Sequence, residues 1–187
     1  DILRQAPPGL FEFEIGVQST NPDTIHEIQR KMDFDALAGT VIRLREGQNI
    51  HLHLDLIAGL PGEDYASFKR SFNDVYFLRP NRLQLGFLKL LKGSGLRLKA
   101  EEYGYQYTQY PPYKVLKNSY MGYDEIAKLE MIEDLVEKYY NSGRFKYTLD
   151  YLVGCHHSNP FEFFEGFMEF WKSKGYEGFS YTQIRLY

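Results

Sequence analysis

The sequence predicts an α/β protein, with three βα units and parallel strands followed by a mostly helical C-terminal region. Strand-length alternations of apolar and polar residues occur at 10–17, 50–58 and 82–88. Helical periodicity fills the intervals between them. The strands begin about thirty to forty residues apart, the length of a βα unit with its loops.

Leu10 to Val17 (LFEFEIGV) sets Phe11, Phe13 and Ile15 on one face of a strand. Asn21-Pro22-Asp23 then supplies an N-cap, a proline at the first helical position and an early acid; Ile25, Ile28 and Met32 follow at helical spacing. A second helical stretch, about Asp35 to Glu46, carries Leu37, Val41 and Leu44 on one side and stops at Gly47. Ile50 to Ala58 (IHLHLDLIA) is the second strand, ended by Gly59-Leu60-Pro61-Gly62. Glu63 to Leu78 reads as a helix with Tyr65, Phe68, Phe72 and Val75 on one stripe, and Arg82 to Leu88 as the third strand.

The character changes after Gly93-Ser94-Gly95. Tyr103 to Tyr113 (YGYQYTQYPPY) reads as an extended crossover packed across a barrel face. Tyr123 to Tyr140 is an amphipathic helix through Ile126, Leu129, Ile132, Leu135 and Tyr139, closed by Asn141-Ser142-Gly143. Asn159-Pro160 caps a final helix with Phe161, Phe164, Met168 and Trp171 on one face, and Phe179 to Tyr187 alternates as a terminal strand. This change divides the chain into residues 1–99 and 100–187.

Composition narrows the function. With 22 basic and 25 acidic side chains and a net charge of −3, the 187 residues lack the cationic excess of a dedicated nucleic-acid or anionic-membrane binder. Hydrophobic residues at 43% and charged residues at 25% are globular values, and no apolar run reaches the roughly 20 residues that span a bilayer. The single cysteine, Cys155, excludes an internal disulfide or a thiolate cluster held by this chain alone.

In parallel α/β folds ligands bind at the carboxyl ends of the strands. Gly16-Val17-Gln18-Ser19 ends the first strand with an amide and a hydroxyl. Asp55 lies late in the second, just before the GLPG turn, and the third ends at Phe87-Leu88-Lys89. An amide and a carboxylate on one rim suit ribose hydroxyls, and loop backbone groups suit the edge of an adenine.

GVQS at 16–19 and DLIAGLPGE at 55–63, in this order and at strand ends, resemble the second half of a radical S-adenosylmethionine (radical SAM) barrel. The resemblance covers residues 9–97 and is nearest the coproporphyrinogen oxidase, Elongator-type and cobalamin-binding branches; the remainder resembles the C-terminal region of cobalamin-binding members. It implies a partial TIM-type barrel and a set of cofactor contacts. Gln18 would meet the SAM ribose, Arg30 on the following helix the methionine carboxylate, and Asp55 the ribose or adenine. Leu88, with Lys89 beside it, would touch the adenine, and Gly59 and Pro61 would shape its end of the site. In this family a [4Fe–4S] cluster on a CxxxCxxC loop cleaves SAM reductively to a 5′-deoxyadenosyl radical. That loop is lacking here, and the chain opens at Asp1 rather than Met.

The expectation is therefore the SAM-binding half of a cytoplasmic radical SAM enzyme, inactive alone, with the cluster ligands and any cobalamin domain outside this chain. Its substrate is not named: methylation, tetrapyrrole oxidation or cyclisation, and RNA modification all stay open. A barrel half would leave the first strand with a bare edge, so self-association through that edge is expected. Two alternatives compete, a non-enzymatic binding module and a metal-dependent hydrolase using His51 and His53, which share a strand face with Asp55. Cys155-His156-His157 reads as a buried thiol beside two loop histidines rather than a metal site.

Overall fold

A computed structural model describes residues 2–155 and 159–176. The three alternating segments form β1 (Phe11–Gln18), β2 (Ile50–Ala58) and β3 (Arg82–Phe87), a parallel sheet in the order β1-β2-β3. The register opposes Phe13 to Leu52, Ile15 to Leu54, and Leu54 to Leu83. Because side chains alternate, this register gathers the apolar residues on one face and the polar ones on the other. The apolar face holds Val17, Leu52, Leu54, Leu56, Leu83 and Leu85, all buried. The opposite face carries Glu12, Glu14 and Gly16, then His51, His53 and Asp55, then Arg82, Gln84 and Gly86. The three-unit α/β architecture read from the sequence is the one observed.

Side-chain caps start the helices where the pattern placed them. Asn21 accepts the Asp23 N–H at α1 (Pro22–Glu27), Asp33 that of Ala36 at α2 (Phe34–Glu46), and Asp64 that of Ser67 at α3 (Tyr65–Phe77). The first helix ends sooner than the spacing of Ile25, Ile28 and Met32 implies. Gln29 takes φ +57°, its N–H reaches the His26 carbonyl, and the Arg30 N–H reaches that of Ile25, a Schellman ending. Arg30 therefore stands just beyond the helix instead of on it.

Beyond β3 the Tyr-rich stretch forms a short antiparallel hairpin, β4 (Gln106–Tyr107) with β5 (Val115–Lys117), after a one-turn helix α4 (Gly95–Leu98). It is no simple extended crossover, because Pro111-Pro112 and Tyr113, at φ +60°, reverse the chain. Then come α5 (Tyr123–Leu135), a π-helical turn at Val136–Asn141, α6 (Lys146–Cys155) and α7 (Pro160–Ser173). The sequence reading missed α6, which buries only Leu149 and Val153 and leaves Tyr147 and Tyr151 in solvent. Cys155 ends α6 exposed, contrary to the buried thiol expected. His156, His157 and the alternation at 179–187 lie outside the described residues.

One apolar core joins these elements. Phe68 and Phe72 of α3 pack with Ile132 and Leu135 of the α5 region and with Phe161 and Phe164 of α7. Tyr65 Oη donates to Glu165 Oε1 and Lys69 Nζ to Oε2, each at 2.8 Å, fastening α3 to α7. The free edge of β3 is also covered: Asn141 accepts the Leu83 N–H (2.9 Å) and donates to the Leu83 carbonyl (3.0 Å), imitating a neighbouring strand. Among the described residues, β1 pairs only with β2, so its outer edge has no strand. No helix among the described residues is long and apolar enough to cross a membrane.

Candidate functional site at the strand ends

The first motif breaks its strand locally. Register slips between Gly16 and Gln18, and Gln18 adopts φ +72°, a conformation non-glycine residues enter only at a cost of about 1 kcal/mol or more. The bulge re-aims the Gln18 amide over the backbone of Gly16. A Cβ on Gly16 would clash with Gln18 Nε2 and stand 3.6 Å from Arg30 Nη1, so these side chains converge on the space glycine leaves. Arg30 Nη2 donates to the Gly16 carbonyl at 3.1 Å. Asp55 is the register partner of Gly16 on β2. Gln18 and Arg30 thus meet over Gly16, and Asp55 stands opposite Gly16 on the adjacent strand with its side chain toward His53.

Behind them runs a layer of titratable groups. His51 Nε2 lies 3.9 Å from Glu12, and His53 Nδ1 lies 3.9 Å from Glu14. His53 Nε2 faces Asp55 Oδ1 at 3.3 Å without hydrogen-bond alignment, and both atoms are buried without another partner. Burial raises the Asp55 carboxyl above its ordinary range, partly offset by His53. The two histidines do not converge: each leans toward a different glutamate. Among the described residues no three His, Cys, Asp or Glu side chains form a metal-binding group, so the hydrolase alternative finds no cage.

The two motifs are hydrogen-bonded to each other. Ser19 Oγ donates to Glu63 Oε1 at 2.6 Å, and Ser71 Oγ of α3 donates to the same atom at 2.9 Å. The hydroxyls in turn accept the Asn21 and Thr20 N–H groups at 3.0 Å each. Glu63 is 0% exposed, and its Oε2 has no partner. Burial pushes its carboxyl up to about 7, against the pull of the two serines. In the sequence Glu63 reads as the first residue of a helix; nothing local distinguishes a buried glutamate from an exposed N-terminal one.

The GLPG turn and the end of β3 are already engaged by the C-terminal region. Gly59, at φ +88°, is buried, and its carbonyl accepts from Tyr105 Oη and Asn118 Nδ2, both at 3.0 Å. Pro61 is buried beside it. Leu88, half-buried, accepts the Val115 N–H at 2.9 Å and donates to the Ala58 carbonyl at 3.0 Å. Lys89 is exposed and bridges to Lys114 through backbone. Pro61, Gly59 and Leu88 therefore form a packed floor, while Gln18, Arg30 and Asp55 supply polar side chains.

Residues 101–187 match a family described as a protein of unknown function, DUF4080. No curated protein matches. Among solved structures, coproporphyrinogen III oxidase from Escherichia coli, described as a radical SAM enzyme, is similar at 28% identity. That alignment covers 44% of this chain and 19% of the oxidase, with a TM-score of 0.42. The chain thus spans under a fifth of the oxidase's length.

Geometry also tests the groups that the radical SAM resemblance implies. The chemistry of a nucleoside with a charged amino-acid tail fits the rim: an amide and a guanidinium over Gly16, and a half-buried carboxylate on the adjacent strand. An iron–sulfur cluster does not fit the described residues, whose one cysteine is exposed at the end of α6.

Proposed function

We propose that this chain supplies the S-adenosylmethionine-binding rim of a radical SAM enzyme, with the [4Fe–4S] ligands, and any cobalamin domain, carried by other residues. The observation behind this is that Gln18 and Arg30 converge over Gly16, whose register partner on the next strand is Asp55, with the motifs GVQS and DLIAGLPGE on adjacent strand ends. Arg30, exposed and held among the described residues by one backbone carbonyl, can turn a charged fork toward a carboxylate. Asp55 brings an acceptor for ribose hydroxyls. When bound, SAM would contribute the cleavable sulfonium; these residues bind and orient it. Of the two parts, 1–99 and 100–187, the first carries this rim and the front of the second, residues 103–121, closes it. The reaction class belongs to the whole enzyme; methyl transfer and tetrapyrrole oxidation or cyclisation are the classes proposed for it.

Titration calorimetry with SAM tests the assignment. Arg30→Ala should weaken binding roughly ten- to hundredfold, as expected for loss of a charge-assisted hydrogen bond, and Gln18→Ala by about fivefold. Unchanged affinity in both variants would remove the assignment.

The bare edge of β1 leads to a second proposal, association with another copy of the chain. Asn141 covers the β3 edge, but among the described residues no strand pairs with the outer edge of β1, where Phe11 is 39% exposed. The chain should sediment as a dimer, and Phe11→Lys should return it to monomer. A wild-type monomer at tens of micromolar would refute this.

A further inference from the structure

One segment of the C-terminal region touches the turn or helix beyond every strand of the sheet. Near its start, Lys99 and the Tyr103 hydroxyl both reach Glu27, at the end of the helix after β1. In the middle, Tyr105 and Asn118 donate to the Gly59 carbonyl, after β2. Asn118 Nδ2 also lies 3.5 Å from the Leu60 carbonyl. Beyond β3, Val115 and Tyr113 pair with Leu88 and Leu90 through backbone hydrogen bonds of 2.9 Å. Residues 99–121 are a strap bound along the whole rim.

The strap is braced on its own account. Arg97 stacks between Tyr107 and Tyr113, at 5.3 and 4.8 Å from their ring centres, and donates to the Leu90 carbonyl at 2.8 Å. Asn118 Oδ1 accepts the Tyr120 and Met121 N–H groups at 2.9 and 2.8 Å, which fixes its amide toward Gly59. Leu90, Tyr103, Tyr105 and Val115 form a separate small apolar cluster beneath these bonds. Val115 Cγ1 and Leu88 Cβ stand 3.5 and 3.7 Å from where a Gly59 Cβ would lie, so the turn is held by shape as well as by donors.

We propose that Tyr105 and Asn118 are positioning residues for the ligand: their shared grip on the Gly59 carbonyl fixes the GLPG turn in the shape that receives the nucleoside end of SAM. This assigns the front of the region shared with the family of unknown function a task, setting the geometry of a site whose polar side chains come from the other half of the chain. The role rests on the SAM-binding function proposed for the rim. Two donors on one buried carbonyl leave the turn a single arrangement, and the preorganised turn spares the ligand the cost of ordering it.

The test uses two variants that spare the packing. Tyr105→Phe keeps the ring against Tyr103 and removes one donor; Asn118→Asp keeps an acceptor for Tyr120 and Met121 and removes the other. Hydrogen exchange by mass spectrometry should show faster exchange in peptides covering 59–62 in both variants, with α3 and α7 unchanged. Titrated with SAM and with adenosine alone, each variant should lose about fivefold in affinity for both ligands, the size of one lost hydrogen bond. Arg30→Ala should weaken SAM but not adenosine, which separates the turn from the tail. Unchanged exchange at 59–62 overturns the grip, and faster exchange with wild-type affinity overturns the positioning role. No SAM binding by the wild-type protein refutes the SAM reading itself, and the role with it.

Discussion

Replacing Glu63 by Gln should abolish on the order of 3 kcal/mol of pH-dependent stability between about pH 4.5 and 7. Glu63 is buried, with its carboxyl pushed up to about 7 from an ordinary 4.5. Below 4.5 both folded and unfolded chains carry the proton. Between the two values the unfolded chain has released its proton while the folded chain retains it, so stability falls as pH rises, by about 1.4 kcal/mol per unit. Above 7 both states are ionised and the loss is complete. Other groups titrate as well, so the measurement is the difference between wild type and Glu63→Gln in urea unfolding at several pH values. The wild-type curve should drop relative to the variant as pH rises through this window. Parallel curves would show that the carboxyl ionises normally. Because Ser19 and Ser71 both donate to Glu63, the same titration acts on the link between GVQS and GLPGE.

Phe72→Ala should cost about 3–5 kcal/mol, against a total stability of roughly 5–15 kcal/mol for a domain. The ring is 0% exposed and meets Phe161, Phe164 and Tyr76 at centroid distances of 5.3, 5.8 and 6.0 Å. Truncation leaves a cavity between α3 and α7, whose spacing is also held by the Tyr65–Glu165 and Lys69–Glu165 bonds. Both halves of the chain share this core, so one unfolding transition should move to lower urea as a unit. Tyr151→Ala, on the exposed face of α6, should shift it by less than about 0.5 kcal/mol. A loss below about 1 kcal/mol for Phe72→Ala, or a second transition left in place, would contradict a shared core.

The strands, the caps at Asn21 and Asn159, and the α5 and α7 stripes were legible in the sequence. Each rests on a period of two or 3.6 residues, or on a side chain reaching its own backbone a few positions away. Gly16, Gln18 and Asp55 were legible as strand-end residues for the same reason, since a parallel sheet puts its loops there. Arg30 was legible only as a cation near that rim. Its seat depends on a Schellman ending at Gln29, a left-handed residue that no glycine or asparagine announces.

The rest depends on residues far apart in the chain. The bond from Ser19 to Glu63 spans 44 positions, and those from Tyr105 and Asn118 to Gly59 span 46 and 59. A hydroxyl, a carboxyl or an amide reads the same in sequence whether it meets water or a buried partner. Local pattern therefore determined the α/β class, the strand ends and the polar residues standing on them. Only the folded chain decided which of those residues meet, which glutamate is kept from water, and that a Tyr-rich strap closes the rim. Those outcomes are set by desolvation and hydrogen-bond satisfaction across distant segments, and no periodicity encodes them.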